Sequence, residues 1–518
     1  MLKRCIVFVL VVMLLLSTAA PGVARDSGRV LLGNEVLLRT RMDLVRGKRV
    51  GLVTNQTGVD GRGRSLVDIF AEHPEIDLVA LYAPEHGIDG TEKAGVWVPS
   101  TTHPRLRIPI YSLYGQTRKP TRAMLADIDV LVFDMQDIGS RTYTYMSTMN
   151  YCIVAARENN KPIVILDRPN PVGGVIVDGP VLEDRFISFV GIDNLPMAHG
   201  MTAGELALFF NRKIGANVTV VPMDGYFREM VWQDTGLTFV RTSPNIPDIE
   251  SAFGYMATGL GEGIPSYYME DKFKWVGGGT INAEQFAALL NGAGLPGVVF
   301  VPERLNGVGG VRLNVTNYRT FNPARTGFYA LAYARQLTNF PVPRSGSTIV
   351  MFDKIMGTDK IGQWLEQRLS PQQIEANWQP GLNRFREERK KYLIYGTAAE
   401  SGVVRVRVGG NLLNFDAQPF IDSANRVIVP VRHIAEALDS QVAWNPAART
   451  VTLRRNGRVV IMTIGSRRVL VDGREFTMDT VPVIRNGRTM VPVRFISEYL
   501  GAAVHWDSLT WTVRIEKY

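Results

Sequence analysis

Apolar runs of four or five residues, each ending in a polar loop, recur along the first half of the chain with amphipathic stretches between them. Residues 50–53 lead into Thr54-Asn55-Gln56-Thr57-Gly58, and residues 78–82 into Ala83-Pro84-Glu85-His86-Gly87. Residues 130–133 lead into Asp134-Met135-Gln136-Asp137, and residues 163–166 into Asp167-Arg168-Pro169-Asn170-Pro171. Unbroken apolar runs of this length are expected of strands covered on both faces of a parallel sheet. Residues 65–72, 120–126 and 142–159 read as helices between them. This alternation predicts an α/β fold with a Rossmann-like, largely parallel sheet. Ligands of open parallel sheets bind beyond the carboxyl ends of the strands, so the four loops are expected to converge on one pocket.

Further along, Thr202-Ala203-Gly204-Glu205 precedes the apolar residues 206–210 and reads as a capping box at a helix start. Beyond about Gly225 the pattern loosens into Ser243-Pro244-Asn245 and Gly259-Leu260-Gly261-Glu262-Gly263. A helix at 283–290 and a strand at 310–315 then predict a smaller α+β subdomain. An amphipathic helix and strand over 374–395, carrying Trp378, Phe385 and Leu393, would close it. From Val403 the chain repeats itself. Arg426-Val-Ile-Val-Pro-Val-Arg432, with Ile434, Leu438 and Trp444, returns 62 positions later as Arg488-Thr-Met-Val-Pro-Val-Arg494 with Ile496, Leu500 and Trp506. Two such copies make one small α+β module, with Trp444 and Trp506 read as core. The expected division is 1–24 signal peptide, 25–250 Rossmann-like domain, 251–395 auxiliary subdomain, 396–402 linker and 403–518 repeat module.

Composition changes this picture mainly at its ends. The 518 residues exceed a single core, and 46% hydrophobic with 21% charged residues is globular. Lys3 and Arg4, an apolar stretch at 6–16 and the small residues ending at Ala24 form a secretory signal, too short to span a membrane comfortably. The expectation is an exported bacterial protein on the extracellular face or cell wall, with no transmembrane segment after cleavage. Cys5 leaves with the signal, and Cys152 reads as a buried structural thiol. Losing Lys3 and Arg4 takes the net charge from +9 to +7. Residues 396–518 hold 16 Lys and Arg against 11 Asp and Glu. Outside a cell such a basic surface suits anionic wall polymers. No glycine-rich phosphate fingerprint follows the first strand, and there is neither an H-E-x-x-H pair nor a cysteine cluster. No cofactor and no nucleic acid partner are implied.

Seven motifs then carry a resemblance: Gly51-Leu-Val-Thr-Asn-Gln-Thr-Gly58, Ala83-Pro-Glu-His-Gly87, Tyr111-Ser-Leu-Tyr-Gly115, Phe133-Asp-Met-Gln-Asp-Ile-Gly139, Arg141-Thr-Tyr-Thr-Tyr145, Leu166-Asp-Arg-Pro-Asn-Pro171 and His199-Gly-Met-Thr202. With Ser243-Pro-Asn-Ile-Pro247 and Tyr392-Leu-Ile-Tyr395, the chain from about 30 to 395 resembles the bacterial exo-β-N-acetylmuramidases. Residues 403–518 resemble the paired-repeat module named after the amino-terminal domain of copper amine oxidases. His433 and His505 alone make no copper site. The resemblance implies a cleft between a Rossmann-like and an auxiliary domain, and release of terminal N-acetylmuramic acid from the non-reducing ends of peptidoglycan fragments.

Glycoside hydrolysis needs a proton donor at the leaving oxygen and usually a second carboxylate. Glu85 is the expected acid/base, at a strand end where a carboxyl is partly withdrawn from water yet within reach of substrate. Asp134, Asp137, Asp167 and Asp178 are candidates for its partner; the family often carries Glu at the position of Asp178. Substrate assistance by the acetamido group would remove the need for a nucleophile. Asn55, His86, Gln136, Asp167, Asn170, His199 and Glu262 are expected substrate contacts. Arg141 and Arg168 suit the lactyl carboxylate, which a guanidinium pairs bidentately. After Gly263 the chain departs from the family pattern, and Tyr267 and Tyr268 there suit stacking on a sugar. Two other readings remain at this stage: a non-catalytic peptidoglycan-binding protein, and a metal-dependent hydrolase using His86, Asp134, Asp137 and His199.

Overall fold

A computed structural model describes residues 29–264, 268–413, 415–508 and 511–517. The residues expected to form a signal peptide and Tyr267 lie outside the described residues, and only the backbone of Tyr268 is within them. The apolar runs form the strands they predict: β1 (Arg49–Thr54), β2 (Asp77–Ala83), β3 (Thr101–Thr102), β4 (Pro109–Ser112), β5 (Val130–Asp134), β6 (Ile163–Leu166) and β7 (Val218–Val221). Their order is β3-β4-β2-β1-β5-β6-β7, parallel throughout except where the short β3 runs antiparallel along the edge. The chain winds outward from β1 through β2 to β4, then crosses back to β5 on the other side of β1. The strand order therefore reverses at β1, and a crevice opens beyond the carboxyl ends of β1, β2 and β5.

Helices cover both faces, as the unbroken apolar strands require. α1 (Gly33–Thr40) and α2 (Leu66–Glu72) pack on one side with Val50, Leu52 and Leu81, while α3 (Thr144–Glu158) and α4 (Ala203–Ile214) pack on the other with Val53, Phe133 and Ile165. Cys152 is buried on α3. Ser65 caps α2, and the capping box of Thr202 and Glu205 opens α4, which Gly215 closes in the left-handed conformation. The helix expected over 120–126 is absent. Leu125 N–H reaches the carbonyls of both Thr121 and Arg122, and Ala126 N–H that of Ala123, so the segment is a run of turns too short to propagate.

The auxiliary part contains α5 (Ile249–Thr258), α6 (Ala283–Gly292) and α7 (Pro323–Thr338) beside an antiparallel sheet. The strands β8 (Tyr268–Glu270), β9 (Trp275–Gly277), β10 (Val298–Leu305) and β11 (Val308–Val315) order as β10-β11-β9-β8. Its apolar residues continue into the core of the first layer without a break. A long helix, Pro371–Arg389, buries Trp378, Leu382 and Phe385 as expected. The strand expected to follow does not form; Tyr395 instead sends its side chain into the Rossmann-like layer, donating to Asp167 Oδ2 at 2.7 Å and accepting from Met223 N–H at 2.7 Å.

The repeats form a separate core. Strand Val427–Pro430 pairs antiparallel with Arg488–Pro492, and Val429 faces Val491, its own equivalent 62 positions on. Ile428 opposite Pro492 and Pro430 opposite Met490 complete a local twofold axis through that pair. Trp444 and Trp506 are not core: 42% and 37% of their surfaces stay exposed, because each lies on an edge strand with one flank uncovered. Arg407 donates to the Asp234 carbonyl at 2.6 Å, Arg405 meets Glu229 at 3.6 Å and Arg319 meets Asp507 at 3.5 Å, tying the module to the rest of the chain.

Candidate active site

Ala83 ends β2, and Pro84 turns the chain so that Glu85 stands at the switch-point crevice. Its carboxylate accepts from Gly95 N–H at 2.8 Å and from Thr144 Oγ1 at 2.7 Å, at the first residue of α3. These two donors fix the rotamer of a nearly buried side chain. Tyr114 presents its hydroxyl to the same carboxylate; burial and then the negative charge of Glu85 raise its pKa. The next residue, His86, is held in the left-handed region at φ 72°, a conformation uncommon for a side chain with a Cβ and concentrated at functional sites. Its Nδ1 donates to the Glu92 carbonyl at 2.7 Å, which leaves Nε2 as an acceptor.

An aromatic wall backs the crevice. The ring centroids of Tyr143 and Tyr145 are 4.8 Å apart, Tyr255 of α5 lies 6.0 Å from Tyr143, and His86 meets the Tyr145 ring edge-on at 6.5 Å. Tyr145 donates to the Thr242 carbonyl at 2.5 Å, and the Asn55 amide lies beside its hydroxyl. Tyr255 lies in the electrostatic field of the carboxylates around the crevice. Burial raises its pKa most, the Thr142 hydroxyl 3.3 Å from its own lowers it, and the negative charges of Glu262, Glu85 and Asp137 raise it further. Glu262 follows the end of α5 by four residues, and its pKa is raised first by withdrawal of its carboxyl from water and then by the charge of Glu85. Asp137 accepts from Gly139 N–H at 2.9 Å and faces His199 Nε2 at 3.4 Å. His199 Nδ1 accepts from Met201 N–H, so the proton lies on the nitrogen toward Asp137.

The other predicted residues are committed elsewhere. Asp134 turns toward α1, binding Arg168 through both oxygens at 2.5 and 2.9 Å and accepting from Asn34 at 3.0 Å. Arg168 is thereby spent on Asp134 and the Val59 carbonyl, as a buried guanidinium must be. Arg141 donates to the carbonyls of Pro180, Leu195 and Ile355, and burial without an acidic partner pushes its pKa down to about 9. Asp178 accepts from Gly179 N–H, from Trp378 Nε1 at 3.1 Å and from Asn322 at 2.7 Å, so it joins the two layers. Asp167 receives the Thr202 hydroxyl, Gly204 N–H and Tyr395 hydroxyl at the start of α4. Gln136 braces the Asp137 and Pro169 carbonyls, and Asn170 donates to the Met201 carbonyl. His86, Asp134, Asp137 and His199 do not gather into one donor set. Among the described residues no three His, Cys, Asp or Glu side chains assemble in a way that could hold a metal ion.

Sequence reasoning missed Tyr114, Thr144, Tyr255 and Arg118. Arg118 is exposed and stacks over Tyr114 at 5.0 Å and Phe189 at 4.3 Å, a cation beside the carboxylate that neither Arg141 nor Arg168 can supply. Tyr114 and Thr144 lie inside the quoted motifs Tyr111-Ser-Leu-Tyr-Gly115 and Arg141-Thr-Tyr-Thr-Tyr145. Tyr255 carried no local signal beyond a helical pattern.

Comparison with known proteins agrees in extent with this architecture. Residues 50–250 match the family described as exo-β-N-acetylmuramidase NamZ, N-terminal, and residues 253–395 match its C-terminal counterpart. Residues 407–515 match the copper amine oxidase N-terminal domain. The chain is 41% identical over 383 residues to the peptidoglycan β-N-acetylmuramidase NamZ of Bacillus subtilis (strain 168), covering 71% of this chain and 92% of that one. Crystal structures of two DUF1343 family proteins from Bacteroides fragilis NCTC 9343 superpose with TM-scores of 0.64 and 0.53 at 37% and 28% identity. Each covers 71% of this chain and 99% of its own.

Proposed function

The chain belongs to the exo-β-N-acetylmuramidase family, and from that premise we propose that Glu85 is its acid/base, working against Glu262 across the crevice. The protein is a glycosidase acting on peptidoglycan. The observation that carries the residue assignment is the Glu85 carboxylate just beyond the end of β2, held in place by Gly95 N–H at 2.8 Å and the Thr144 hydroxyl at 2.7 Å. Glu85 delivers its proton to the bridging oxygen as the bond from C1 breaks, and a water that adds to C1 returns one. Glu262 then opposes the positive charge that develops on the sugar ring. Arg118 pairs the lactyl carboxylate of a terminal N-acetylmuramic acid, and His86 Nε2 accepts from a ring hydroxyl. Asp137 orients His199 from behind.

Glu85→Gln keeps the shape and both hydrogen-bond partners within reach while removing the transferable proton. Release from a chromogenic N-acetylmuramic acid glycoside is expected to fall to background, with ligand binding preserved in calorimetry. Full activity in that variant would remove Glu85 from the role. Lost binding together with lost activity would favour a structural role for it. The leader at residues 1–24 and the basic repeat module support an exported enzyme held on the wall through residues 403–518.

A further inference from the structure

The repeat module carries two cavities built to one plan. Pro430, Val431, Arg432, Val442, Trp444 and Val451 line one, of about 240 Å³; the residues 62 positions on, Pro492, Val493, Arg494, Val504, Trp506 and Val513, line the other, of about 310 Å³. The axis through Val429 and Val491 exchanges them. Each cavity also borrows an arginine from the opposite repeat, Arg488 in the first and Arg426 in the second. Arg488 is held by Asp416 at 2.6 Å and Arg426 by Asp479. Arg432 has no ion pair among the described residues, and Arg494 only approaches Glu498 at 3.9 Å. Each site thus offers a half-exposed indole face, a valine floor, one anchored guanidinium and one that is nearly free.

We propose that these are two equivalent subsites for the glycan strand of peptidoglycan. A Trp face stacks on a pyranose ring, and the free arginine pairs a carboxylate carried by the strand or its peptide. The chemistry selects this occupant. All but one of the sixteen cations over residues 396–518 are arginine, whose planar fork matches carboxylates bidentately. An uncharged polysaccharide would leave these guanidinium groups idle, and a purely anionic chain without rings would leave the indoles idle. Twin sites on a polymer with repeating units convert a weak contact into firm retention. The proposal rests on the wall-retention reading of the module and names its site.

The test uses the full chain with sacculi stripped of phosphate polymers by acid extraction, and reads the bound fraction by sedimentation. Trp444→Ala or Trp506→Ala alone is expected to weaken binding about tenfold or more through lost avidity. The double variant is expected to abolish it, with turnover of the chromogenic glycoside unchanged. Trp444→Tyr/Trp506→Tyr keeps a ring face and is expected to restore most of the binding; failure to restore it would overturn stacking. If the double Ala variant binds like wild type while a chain lacking 403–518 does not, the cavities are refuted and the module's role stands. Wild-type binding by the truncated chain refutes that role itself. Binding that vanishes once the phosphate polymers are extracted overturns the choice of ligand.

Discussion

Asp167 is a strand-end carboxylate spent inside the fold, on the Thr202 hydroxyl, Gly204 N–H and the Tyr395 hydroxyl. Burial pushes its pKa up to about 7, although the Tyr395 hydroxyl, Gly204 N–H and Thr202 hydroxyl favour its charged form. In the unfolded chain the same group ionises at about 4. Between those values the folded state binds more protons than the unfolded one, so this group's contribution to stability falls as the pH rises from about 4 toward 7. The urea midpoint is expected to drop between pH 5 and pH 8, and Asp167→Asn is expected to flatten that drop; an unchanged slope in the variant would remove Asp167 as its source. At this scale the sequence disclosed which residues stand at strand ends but not which way they point. Asp134 and Asp137 are three residues apart, yet one turns to Arg168 and the other to His199. Arg141 and Arg168 look like ligands in a list and prove to be internal braces. Orientation of this kind is fixed by contacts from α1 and the auxiliary part, which no local pattern announces.

Elements were more legible than residues where a strong pattern met a cap. Strands β1, β2, β5 and β6 and helix α4 follow from apolar runs and a capping box, because burial and end satisfaction are local in the chain. The segment at 120–126 has good helical composition but too few residues to repay nucleation, and Leu393 to Tyr395 is fixed by partners far away in sequence. The Trp pair was misread since edge-strand exposure depends on sheet order. In the proposed assignment the decisive element is α5, which carries Tyr255 and precedes Glu262. Gly254 within it lies so close to the Phe273 backbone carbonyl that a Cβ would clash, and a backbone atom cannot swing aside. Gly254→Ala is expected to destabilise the protein by about 1–3 kcal/mol, read by thermal unfolding. Shifting α5 by even an ångström should lower kcat about 100-fold. Wild-type turnover would mean that α5 does not set the crevice.

At the scale of the molecule, the catalytic part and the repeat module have separate cores, while the Rossmann-like and auxiliary layers share one. Residues 29–395 therefore contain every group assigned to the chemistry. A chain ending after residue 402 is expected to hydrolyse the small chromogenic substrate with kcat/KM within about twofold of the full chain, since sites that share no partners act independently. A larger loss would mean that the contacts of Arg405 and Arg407 shape the crevice.

The bond from Tyr395 to Asp167 spans 228 residues. A growing chain that has emerged only as far as the seven-stranded sheet still lacks the hydroxyl that completes the environment of this buried carboxylate. Contacts so distant form late, after the cost of closing a long loop has been met. The sheet layer alone is thus held short of its final stability until the last residues of the catalytic part arrive. If the chain is exported as proposed, that delay is useful, because the segment already made does not lock into a shape too wide to pass through a membrane.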